Sequence, residues 1–127
     1  MKAEYIFEQN QEAEELLRLR LIEEALDPTT IAHLQQTGIQ AGWRCVELGA
    51  GAGSIVRWLG NTVGPSGRVV GVDRNTNHLR NLSDPRFQIV SGAFPESALG
   101  SNFDLAHCRY VLIHNQCADE MLRKLAS

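Results

Sequence analysis

Two periodicities divide the chain. Between about Glu8 and Leu26 the apolar positions Leu16, Leu19, Ile22 and Leu26 recur at helical spacing, with Leu17 and Leu21 alongside and glutamates on the other face. Asp27-Pro28 then reads as a break, because the aspartate can cap and the proline suits a first helical position, where a missing N–H costs nothing. A second helix is expected to run to about Thr37, with Gly38 as its left-handed terminator. After Gly42 short apolar runs alternate with short helical segments. Strands are expected at 44–50 (RCVELGA), 67–73 (GRVVGVD) and 86–92 (RFQIVSG), and a fourth begins FDLAHCRYVLI at 103. Helices are expected at 54–64, at 75–82 with Asn75 or Thr76 as cap, and at 115–127.

Strand–helix–strand alternation with connections this short implies parallel strands and right-handed crossovers. The expected fold is α/β, a Rossmann-like doubly wound parallel sheet preceded by N-terminal helices. The helical segment would occupy 1–41 and the sheet-bearing core 42–127.

The stretch VELGAGAGS, residues 46–54, sets Gly49, Gly51 and Gly53 on alternate positions directly behind the first strand. In a doubly wound sheet ligands bind beyond the carboxyl ends of the strands, where strand order reverses, and this turn is that place. Bare backbone permits a sharp turn and a close ligand, and the following helix N-terminus is expected to offer free N–H groups to the same space. A tight turn without a ligand would use the same glycines.

Two acids favour the ligand. Glu47 ends the first strand, and Asp73 ends the second, where a carboxylate can accept both hydroxyls of an adenosine ribose. The plainer role for Asp73 is a cap or turn residue, which Asn75 could fill instead. The dinucleotide fingerprint G-x-G-x-x-G fails in this register, since the fifth residue past Gly49 is Ser54. A carboxylate at Glu47 also opposes a pyrophosphate, whereas it suits a sulfonium ligand with an ammonium tail.

VELGAGAGSIVRWL resembles the first motif of class I S-adenosylmethionine-dependent methyltransferases, and GRVVGVDRN resembles the segment that follows it. The N-terminal run from YIFEQN onward and FDLAHCRYVLIHN resemble a bacterial group of that family acting on small molecules, so the likeness covers nearly the whole chain. The resemblance implies S-adenosyl-L-methionine as cofactor and a strand order 3-2-1-4. It places Glu47, Gly49, Ala50, Gly51 and Gly53 at the methionine moiety, Asp73 at the ribose and Arg74 beside the adenine. It places Ala93 and Phe94 against the base, and Arg109 near methionine and substrate. The implied reaction is methyl transfer to a small-molecule acceptor. The alternatives are a catalytically incomplete binding or assembly module and a nicotinamide-dependent oxidoreductase.

Two departures stand out. The family's acid after strand three is missing from Ser91-Gly92-Ala93-Phe94, and the nearest is Glu96. The family's sheet has seven strands, so the chain is expected to stop after the fourth with its sheet incomplete. FDLAHCRYVLI is apolar and lacks the lysines or prolines that blunt an edge, so a homodimer or another partner covering that edge is expected.

At 127 residues, 43% hydrophobic and 21% charged, the chain has a globular composition. A net charge of -3 offers no basic field for nucleic acid. No apolar run approaches the roughly 20 residues that span a bilayer, and the acidic N-terminus is not a secretory signal. Neither nucleic acid nor membrane is an expected partner. Three cysteines without a CxxC pair fit free thiols in a cytoplasmic protein. His114-x-x-Cys117, near His107-Cys108, has metal-like spacing but no second ligand pair, and no metal site is expected. His114 is the candidate general base, with a solvated histidine at a helix start as its plainer reading. Trp58, on one face with Ile55 and Leu59, reads as core. Tyr5 and Phe7 read as surface aromatics, in a segment that the family resemblance places over the cofactor mouth.

Overall fold

Val46 and Leu48 on one strand and Val70 and Val72 on the next are almost fully buried, which is why these runs are apolar without alternation. They belong to β1 (Arg44–Leu48) and β2 (Arg68–Asp73) in the computed structural model, which describes residues 2–92 and 102–108, the first eight by backbone alone. With β3 (Phe87–Ser91) and β4 (Leu105–Cys108) they form a four-stranded parallel sheet of order β3-β2-β1-β4. The chain steps outward from β1 to β3, then returns to β1's other side. The reversal of strand order therefore falls at the carboxyl end of β1.

One face of the sheet carries helix α2 (Ser54–Val63), whose Ile55, Val56, Leu59 and Val63 pack with Cys45 and Val69. Trp58 and Phe87 pack against that cluster. The other face gathers Val46, Leu48, Val70 and Val72, with Val90, Phe103 and Cys108 beside them. α2 lies close against the sheet at Gly60, where an added Cβ would lie 2.3 Å from Cζ of Phe87. Gly60→Ala is expected to destabilise the fold by about 1–3 kcal/mol through overpacking, despite the roughly 0.5–1 kcal/mol that alanine gains within a helix. Urea unfolding would read the sign directly.

The N-terminal pair of helices is one helix. α1 runs from Lys2 to Gln35 with Pro28 inside it. Pro28 lacks the N–H that would reach Glu24, a loss of about 3 kcal/mol in a helix interior. Continuing the helix nonetheless brings Thr30 and Leu34 into buried positions beyond the proline, and that packing outweighs the local break. Asp27 thus lies within the helix and is no cap. Gly38, at φ 84°, takes the left-handed conformation expected of it. No helix among the described residues is long and apolar enough to cross a membrane.

The helix expected at 75–82 is a single 3-10 turn, Asn77–Leu79. The side chains of Asp73 and Asn75 accept from the backbone N–H groups of Asn75 and Asn77, each two residues on, and such turns compete with a regular helix. The continuation of the fourth strand and the helix at 115–127 lie outside the described residues.

Burial pushes the Cys45 thiol up to about 12, with Asp104 adding to it, and raises that of Cys108, with Glu47 adding there. The thiolate is the reactive form. Alkylation of Cys45 at pH 8 is expected to be slower than in unfolded chain by on the order of a hundredfold or more, as peptide mass spectrometry would measure.

Candidate cofactor-binding site

Where β1 ends, the backbone takes the left-handed conformation at every second residue: Gly49 at φ 72°, Gly51 at 59° and Gly53 at 91°. Side chains other than glycine are strained there, so the turn itself demands this spacing. At Gly53 a Cβ would also meet Cδ2 of Leu79 at 2.6 Å, a packing constraint. At Gly51 the nearest atom would be Cδ2 of Leu19 at 3.6 Å, so conformation alone requires glycine there.

The amides of this turn are engaged within the protein. Those of Gly49 and Ala50 both donate to the Val72 carbonyl, at 2.8 and 3.0 Å, and that of Gly53 to Ala50. The Gly51 amide donates to Oδ2 of Asp73 at 2.8 Å. The Ser54 amide, at the first residue of α2, donates at 2.9 Å to Oε2 of Glu23 on α1. The helix N-terminus expected to offer its N–H groups to a ligand is therefore met by a carboxylate from 31 residues earlier. An anion at this position is stabilised by the helix dipole, and here the protein supplies it. Glu23 is set apart from the other glutamates of α1 by a signal in the sequence. It falls four residues after Leu19 and seven after Leu16, an acid inside the apolar stripe.

Asp73 ties the end of β2 to the glycine turn, accepting from Gly51 through one oxygen and from Asn75 through the other. The plainer turn role foreseen for it is realised. Each carboxylate oxygen keeps a further lone pair, so a ribose hydroxyl is chemically compatible with both bonds. Arg74, next along, is exposed.

Glu47 is 3% exposed, and its Oε2 lies 2.6 Å from Nδ1 of His107 on β4. The two are direct partners in the parallel β1–β4 register, although 60 residues separate them in sequence. With Glu47 ionised, the carboxylate only accepts and Nδ1 is the donor. Ala93, Phe94, Glu96, Arg109, His114 and Cys117 lie outside the described residues, as do the side chains of Tyr5 and Phe7. No group of histidine, cysteine and acid side chains among the described residues could hold a metal ion.

No protein-family model and no curated protein matches the sequence. Solved structures do match. An arsenic(III) S-adenosylmethionine methyltransferase from Chlamydomonas reinhardtii aligns with 69% of this chain and 36% of its own, at 25% identity and a TM-score of 0.58. A SAM-dependent methyltransferase from Aquifex aeolicus aligns with 87% of this chain and 66% of its own, at 18% identity and a TM-score of 0.67. This is the class I S-adenosylmethionine-dependent methyltransferase fold. An Aeropyrum pernix fibrillarin solved with natively bound S-adenosyl-L-methionine shares it over 57% of this chain and 36% of its own, at 23% identity and a TM-score of 0.50. The chain thus spans about a third of the algal and archaeal methyltransferase-fold proteins and 66% of the Aquifex one.

Proposed function

We propose that this chain is the S-adenosyl-L-methionine-binding portion of a methyltransferase with a small-molecule acceptor. The observation that carries the reading is the charge and hydrogen bonding of the glycine turn. Its amides at Gly49, Ala50, Gly51, Gly53 and Ser54 already have acceptors, and three carboxylates, Glu23, Glu47 and Asp73, surround it. A pyrophosphate would need those amides and would meet like charge. The sulfonium centre and ammonium group of the alternative ligand need none of these amides and are attracted by the field.

Asp73 is the group that would hold the ribose, and Glu47 the group nearest in kind to an ammonium partner. The bound cofactor supplies an electrophilic methyl carbon, and the acceptor's lone pair displaces the thioether, whose sulfur keeps the bonding electrons. The protein's part is alignment and exclusion of water. A net charge of -3 weighs toward a small acceptor and away from nucleic acid. Among the structural neighbours, the algal enzyme acts on arsenic(III), an acceptor of that size class.

Thermal denaturation with S-adenosylhomocysteine, NAD and NADP in parallel tests the reading. The first is expected to bind at micromolar level and, at a hundredfold excess over Kd, to stabilise by about 2.7 kcal/mol. Neither dinucleotide should shift the transition. Preferential stabilisation by NAD would overturn the proposal.

A further inference from the structure

A carboxylate as buried as Glu47 cannot keep its charge and a fixed orientation without donors. His107 provides one at 2.6 Å, from the adjacent strand and in direct register. The imidazole is itself half-buried, and Glu47 lies two residues before Gly49, where the turn begins. Glu47 shares its face of β1 with Cys45, which packs with α2, so the carboxylate lies on the face that α2 covers. Cys108, next along β4, feels the same charge, since Glu47 contributes to raising its thiol.

We propose that His107 is a positioning residue for cofactor recognition. Its Nδ1–H holds the Glu47 carboxylate in one orientation, and that carboxylate serves as counter-charge to the ammonium of the cofactor's amino-acid tail. The inference rests on the methyltransferase reading above and adds to it a histidine from the fourth strand. Without His107 the buried carboxylate loses that donor and the orientation it fixes. The discrimination falls on one end of the ligand only, because the contact proposed for Glu47 is to the ammonium, whereas that proposed for Asp73 is to the ribose.

The test compares two ligands that share adenosine and sulfur and differ in the tail: S-adenosylhomocysteine, which has the ammonium, and 5′-methylthioadenosine, which lacks it. Calorimetric titration of this chain with both is expected to show a marked preference for the former. In His107→Ala the homocysteine compound should lose about tenfold or more in affinity, the scale of one charged hydrogen bond, while the methylthio compound stays within roughly twofold. Glu47→Gln should show the same selective loss, and the double variant no further loss. His107→Asn, which keeps an N–H near the Nδ1 position, should restore most of the affinity. His107→Gln, which places its N–H further out, should not. Equal losses for both ligands, or unchanged affinity in His107→Ala, would overturn the proposal. If the alanine variant does not fold, the asparagine–glutamine comparison decides, and equal behaviour of those two would also overturn it. Binding of neither ligand by the unaltered chain would instead overturn the underlying reading, and this inference with it.

Discussion

Asp73→Ala is expected to lower the affinity for S-adenosylhomocysteine by about ten- to a hundredfold. A hydrogen bond to a charged group contributes roughly 1.5–3 kcal/mol, and the proposed ribose contact is of that kind. The variant also removes the acceptor of the Gly51 amide, whose partner is Asp73 at 2.8 Å, so the turn loses its tie to β2. Both effects push the same way. Asp73→Asn separates them, because its amide oxygen can still accept from Gly51 while its nitrogen cannot accept from a hydroxyl. An intermediate loss is therefore expected for asparagine. Isothermal titration measures all three proteins, and unchanged affinity in the alanine variant would mean that the carboxylate serves the turn alone.

Leu59→Ala is expected to cost about 2–5 kcal/mol of folding stability, the range for deleting a buried leucine side chain with partial collapse of the cavity. Leu59 is 0% exposed, in the cluster that α2 forms with Cys45, Val56, Val63 and Val69. Leu17 and Leu21 on α1 are 60% and 58% exposed and supply the control, with changes expected within about 0.5 kcal/mol. Denaturant unfolding of the three variants would show whether the sheet's α2 face is the main source of stability. Equal losses at Leu17 and Leu59 would contradict the burial described for α1.

The sheet was legible because its rules are short-range. Apolar runs marked β1 and β2, glycines marked the turn, and right-handed crossovers left few strand orders to choose from. The place of Asp73 beside the glycine turn was legible because in such a sheet the end of β2 lies next to the turn after β1. α1 was misread at Pro28 because the local penalty is visible in sequence, while the burial of Thr30 and Leu34 that offsets it is tertiary. The short turn at Asn77–Leu79 has the opposite origin, since the side chains of Asp73 and Asn75 accept from backbone N–H groups two residues on and so compete locally with a regular helix. Glu23 and His107 belong to a third kind. Each meets its partner only after the chain has folded, Glu23 across 31 residues and His107 across 60. His107 was reachable in principle, because a parallel β1–β4 pairing sets it beside Glu47, but only once the register is known.

The internal bonding of the glycine turn has a consequence for the entropy of binding. Fixing one backbone residue costs about 1–2 kcal/mol, so ordering five residues when a ligand arrives would cost about 5–10 kcal/mol. The whole free energy of micromolar binding is about 8 kcal/mol. A glycine turn left loose until binding would consume most of that. Here Val72, Ala50, Asp73 and Glu23 hold its amides from within the protein, so folding itself meets the ordering cost. Amide exchange at Gly51 and Ser54 should accordingly be slow in the free protein, and a ligand's contacts can appear almost undiminished as affinity.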